Sequence, residues 1–76
     1  MLLSDLEKKL IKLKVPKDCY SLKGGLPNES LCLSYVEGIW EIYYSEKGNK
    51  TGLNTYDNES DACEAFLIKI KKMMKL

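Results

Sequence analysis

The stretch from Trp40 to Asp57, WEIYYSEKGNKTGLNTYD, constrains the fold of this chain more than any other. Apolar and polar residues alternate through IWEIYYS with the period of two that marks a half-buried strand. The run then breaks at Glu46 to Asn49, where a glycine supplies the backbone freedom of a tight turn, and KTGLNTY resumes as a weaker strand. A turn this short joins antiparallel neighbours. Alternation places Trp40, Ile42 and Tyr44 inward and Glu41 and Tyr43 outward. Leu53 is the expected anchor of the following strand, and Gly52 beside it signals a bulge or a close neighbour.

The preceding segment, SLCLSYV, alternates in the same way. Leu31, Leu33 and Tyr35 share one side and Cys32, Ser34 and Val36 the other, with a turn at Glu37-Gly38 leading into the next strand. Helices flank this meander. Leu3, Leu6, Leu10 and Leu13 recur at the spacing of one helix face, and Pro16 ends that helix near Lys14. At the other end DNESDACEAF offers a cap at Asp57 or Asn58, and Cys63, Phe66, Ile70 and Met73 mark a buried face. The expected architecture is α+β, in the order α-β-β-β-α. Residues 1 to 76 form a single domain, a three-stranded antiparallel meander with both helices packed on one face and the other face open. Trp40, Leu53, Phe66 and Leu10 are expected to share its core.

Between Pro16 and Asn28 the chain carries both prolines and a Gly-Gly pair and reads as a loop. A loop of this length in a small domain is often functional. Its alternative role is structural, with Tyr20, Leu22 and Leu26 plugging the end of the core.

Chemistry is constrained by what the chain lacks. There is no histidine and no arginine, and all twelve cations are lysines. Histidine is the usual general base near neutral pH and the commonest metal ligand, so serine activation and most metal chemistry lose their usual partner. Cys19, Cys32 and Cys63 are too far apart in sequence for a paired zinc motif and read as reduced thiols. These observations argue against an enzyme and against a cofactor or metal. The expected location is the cytoplasm, given no secretory signal and no run approaching the roughly 20 apolar residues of a membrane span. The lysines of KIKKMMKL complement a helix dipole at its C-terminal end, so no membrane partner is expected from them.

The α-β-β-β-α order is also that of double-stranded-RNA-binding domains, and a nucleic-acid-binding module is the alternative function. Charge opposes it. The start of the last helix reads Asn58-Glu59-Ser60-Asp61, where a phosphate backbone requires cations. No nucleic-acid partner is therefore expected.

Four blocks carry a further likeness: GGLPNE at residues 24 to 29, CL at 32 and 33, WEIYYSEKGNK at 40 to 50, and DNESDACEAF at 57 to 66. In order and spacing they resemble small immunity proteins of bacterial polymorphic-toxin systems of the contact-dependent inhibition type. The resemblance spans about two thirds of the chain, and it implies a non-catalytic protein that binds a cognate toxin domain, such as a nuclease, and occludes its active site. It implies no particular contact residues. Those come from the residues themselves: Tyr43 with Glu41 on the open sheet face and Glu46 at its edge, or Tyr20 and Asn28 in the long loop.

Overall fold

In the computed structural model, which describes residues 1–75, two helices cover one side of a four-stranded mixed sheet. Helix α1 spans Leu3–Lys12. It ends as Pro16 requires: Lys14 turns to a φ of 61°, and the Val15 N–H donates to the Leu10 carbonyl at 3.1 Å. A short 3-10 turn, Lys17–Cys19, leads into β1, Tyr20–Ser21. Strands β2 (Ser30–Val36), β3 (Ile39–Glu46) and β4 (Asn49–Tyr56) follow, and α2 spans Glu59–Met74. Asn58 caps α2, its side-chain oxygen accepting from the Asp61 N–H at 2.8 Å.

The antiparallel meander of β2, β3 and β4 forms as expected, but the sheet has a fourth member. β1 lies parallel to β2, pairing Tyr20 with Leu31 and Ser21 with Cys32, inside the stretch expected to be loop. Two residues are too few to show an alternation, so this strand leaves no periodic signal. Both hairpin turns are two residues long, Glu37-Gly38 and Lys47-Gly48, and all four residues have positive φ. That conformation matches the right-handed twist of the strands it joins, and glycine at the second position reaches it without strain.

The core lies between the sheet and the helices. Leu31, Leu33 and Ile42 from the sheet meet Leu6 and Leu10 of α1 and Ala62, Cys63, Phe66 and Ile70 of α2. Trp40, Tyr44 and Tyr56 pack against this cluster from its margin. Leu10 and Phe66 are in the core as expected. Leu53 is not: it is 48% exposed. The cause is a bulge at Gly52 (φ 62°), where two residues of β4 oppose the single residue Tyr43. Tyr44 faces Thr51, so plain alternation would turn Leu53 to the core; the extra residue turns it to the opposite face and restores Tyr56, paired with Trp40, to the inner side. Leu13 and Met73 also lie outside the core, exposed on the last turns of their helices, and Tyr35 is 60% exposed, its ring tilted at 44° against that of its cross-strand partner Trp40 with centroids 4.6 Å apart.

The helices run in the same direction. Their N-termini are joined by the Leu3 N–H, which donates to the Glu59 carboxylate at 2.6 Å, and by the Met1 nitrogen, which donates to Ser60 Oγ at 3.0 Å. Glu59 thereby serves both helix starts, satisfying an otherwise free N–H of α1 while standing in the first turn of α2.

Candidate functional site

The second face of the sheet is where binding residues were expected, and half of it is not open. Tyr43 points away from the helices, as alternation requires, yet it is only 1% exposed. The segment following β1 covers it. Gly24 continues the sheet edge, its N–H donating to the Leu33 carbonyl at 3.0 Å, and Ser21 Oγ closes the turn on the Gly24 carbonyl at 2.9 Å. Tyr43 Oη then donates to the Gly25 carbonyl at 2.6 Å. The chain passes so close to the sheet that a Cβ on Gly24 would stand 2.8 Å from Ser34 Cβ and 3.6 Å from Tyr43 Oη. Glycine is required there for space as well as for its φ of 72°. The Gly-Gly pair opposite an outward tyrosine was the one sequence signal of this strap, and it is only visible once β1 is placed.

Around the buried ring the polar groups pair with one another. The Lys50 ammonium stands 4.6 Å from the centre of the Tyr43 ring and 3.8 Å from Glu41 Oε1, and Ser34 Oγ donates to that same oxygen at 3.4 Å. Cys32, directly across from Tyr43, is fully buried with it. Burial pushes the Cys32 thiol up, and the nearby Tyr43 hydroxyl and the charge of Lys50 offset part of that. Burial likewise pushes the Tyr43 hydroxyl up, with Cys32 and then Glu41 adding to the effect. Cys63, in the core, is raised by burial and by Glu59. Both buried thiols are held in the unreactive protonated form. Among the described residues no cluster of histidine, cysteine and carboxylate groups has a metal-holding arrangement.

The five expected binding residues therefore separate. Tyr43 is removed from the surface, a correction that follows from the strap. Glu41 is partly exposed and committed to Lys50 and Ser34. Tyr20 is half-buried at the wall of a depression of about 290 Å³ that Glu7, Ile11 and Lys17 also line. Glu46 and Asn28 come together from different parts of the sequence: the Lys47 N–H, next to Glu46, donates to Asn28 Oδ1 at 3.5 Å. Sequence reasoning missed the residue between them, Tyr44. Its ring packs on the core margin and is half-buried, and its hydroxyl is pushed up by burial and then by the nearby carboxylates of Glu29 and Glu46. The turn end of the sheet thus presents Asn28, Glu29, Tyr44 and Glu46 as one polar, acidic cluster around a single aromatic ring.

Comparison of the chain with protein-family models, with curated proteins and with solved structures gives no match in any of the three.

Proposed function

We propose that this protein is a cytoplasmic immunity protein that binds a cognate toxin domain and occludes its active site, with no catalysis of its own. The order and spacing of its sequence blocks support the reading through their resemblance to immunity proteins of polymorphic-toxin systems. The observation that carries it is the turn-end cluster. Glu29 and Glu46 flank a tyrosine whose inner edge is anchored in the core, and Asn28 is fixed beside them by Lys47. A rigid aromatic with a polar tip suits the centre of a protein interface, and carboxylates around it suit the cationic substrate cleft of a nuclease. The docking surface is therefore the end of the sheet rather than its face.

The test is co-expression with the toxin domain encoded beside this chain, read as cell survival and as affinity of the purified pair. Replacing both Glu29 and Glu46 with lysine places like charges together and is expected to abolish protection, chiefly through a slower on-rate. Tyr44→Ala is expected to weaken the complex by roughly thirtyfold, as loss of a central interface tyrosine of about 2 kcal/mol would. Full protection by the double lysine variant would remove the turn end from the interface. Failure of the unaltered chain to bind any neighbouring toxin domain would remove the immunity reading itself.

A further inference from the structure

Because α1 and α2 run parallel, their C-terminal ends lie together, and each end is basic. Four lysines lie between Lys8 and Lys14 and four between Lys69 and Lys75, two thirds of the chain's twelve, with no carboxylate in either run. The two runs are adjacent in space: Lys9, Lys12 and Leu13 of the first and Leu67 and Lys71 of the second line one groove of about 240 Å³. Two helix C-termini together carry about one negative charge, so complementing the dipoles accounts for a small part of eight cations. No ion pair involves these lysines among the described residues, where Lys50 with Glu41 is the pair that forms. Asp5, Glu59 and Asp61 stand in the first turns of the two helices, at the opposite end of the layer, with Glu7 and Glu64 between them and the lysines.

We propose that this lysine end docks the protein on an anionic lipid bilayer. The chemistry of the surface selects that partner. Every residue from Lys8 to Lys14 and from Leu67 to Lys75 is lysine, leucine, isoleucine or methionine. Nothing there stacks on a base, and no hydroxyl or amide is present to complement the ammonium groups on a sugar-phosphate backbone. A bilayer interface takes this composition. Ammonium groups sit at the level of the lipid phosphates while their alkyl stems and neighbouring aliphatic side chains enter the acyl boundary. The aliphatic side chains are available to do so: Leu13 is 37% exposed and Ile68 57%. The separation of acid from base along the helical layer orients the molecule with this end toward a negative surface. Glu29 and Glu46 border this end on the sheet side, where Tyr44 and Lys72 share a depression, so the approach is from the helices. Considered singly, each lysine run is a solvated helix end; it is the parallel packing that makes them one surface. The association is peripheral, as no helix among the described residues is long and apolar enough to cross a membrane.

The test is sedimentation of the full chain with vesicles of phosphatidylcholine alone and of phosphatidylcholine mixed with phosphatidylglycerol. Partitioning is expected onto the mixed vesicles and not the neutral ones, falling as salt is raised. The triple variant Lys9→Gln, Lys12→Gln, Lys71→Gln is expected to lose about a hundredfold in partitioning, each lysine near the surface contributing about fivefold. Ile68→Ser, which changes one exposed side chain, is expected to lose less, while Lys50→Gln, beside Tyr43 on the sheet face opposite the helices, is expected to change nothing. The proposal is overturned if the unaltered chain stays in solution with anionic vesicles at low salt, or if the triple variant partitions as well as the original. It is also overturned if duplex DNA displaces the chain from vesicles and the triple variant loses DNA affinity instead, which would assign the surface to a nucleic-acid backbone.

Discussion

The inner face of the sheet and the part of its outer face around Tyr43 are both buried, and they are buried by different means. On the inner face, leucine, isoleucine and phenylalanine side chains from two helices interlock with Leu31, Leu33 and Ile42. On the outer face, a few residues of irregular backbone lie on Ser34 and Tyr43, fixed by three hydrogen bonds and by the absence of a side chain at Gly24. The inner face gains its stability from apolar area removed from water, which tolerates small errors of fit. The outer face depends on backbone conformation and a close approach, which do not. The difference predicts how each face fails.

The largest loss is expected on the inner face. Phe66 is fully buried at the centre of the core, and Phe66→Ala removes its packing and leaves a cavity. A cost of roughly 3–5 kcal/mol is expected, enough to unfold much of a domain of this size. Urea denaturation would measure it, and an unchanged midpoint would mean that the core is not organised around this ring.

The next effect separates the two ways a glycine can matter. Gly24 and Gly38 both have positive φ, 72° and 83°, but a Cβ at Gly38 would meet nothing within 4 Å. Gly38→Ala therefore reports backbone strain alone, about 1–2 kcal/mol. Gly24→Ala carries the same strain plus the contact with Ser34 Cβ at 2.8 Å, for a total of roughly 2–4 kcal/mol. Equal losses at the two positions would show that the strap lies loosely on the sheet.

This contrast also explains what was legible in the sequence. The inner face was read from period: Leu6, Leu10, Phe66 and Ile70 at helical spacing, Leu31, Leu33 and Ile42 at strand spacing. The α+β class, the meander and the two helices followed from it. The strap has no period. β1 has two residues, and its pairing with β2 is parallel and depends on where the loop happens to return. Alternation gives the direction of Tyr43 and not its exposure, because it says which face a side chain takes and not what covers that face. The turn-end cluster is half visible in the sequence: Glu46 and Asn28 stand out separately in strand and loop, while alternation places Tyr44 wholly in the core.

A smaller effect tests the strap's polar anchor. Tyr43→Phe keeps the ring beneath Lys50 and removes only the hydrogen bond to the Gly25 carbonyl. The expected loss is about 1 kcal/mol, with unfolding cooperative and the core intact. The same burial gives the outer face an alkaline signature. The folded-state pKa values of Cys32 and Tyr43 are raised, so the folded protein holds these protons more tightly than the unfolded chain. Their contribution is complete below the ordinary thiol and phenol values of 9.0 and 10.0 and is lost as pH rises through the folded values. Thermal stability is thus expected to decline from about pH 9 upward, and less steeply once Tyr43 is phenylalanine. A melting temperature flat to pH 11 would mean that both groups titrate freely in the folded state.

The smallest effect lies at Leu53, the point where the two faces exchange a residue. An alternation carried forward from Thr51 would bury this leucine against Ile42, whereas the Gly52 bulge turns it outward and leaves it 48% exposed on an edge strand. Leu53→Thr is therefore expected to change stability by less than about 0.5 kcal/mol, as exposed positions away from special contacts do. Threonine suits an exposed strand at least as well as leucine, so the sign is set by the small apolar area that Leu53 still covers. If plain alternation governed β4, the same substitution would place a hydroxyl in the core and cost several times more. The two outcomes differ enough for a single denaturation curve to decide between them. A large loss would mean that β4 slips by one residue and that the bulge does not hold.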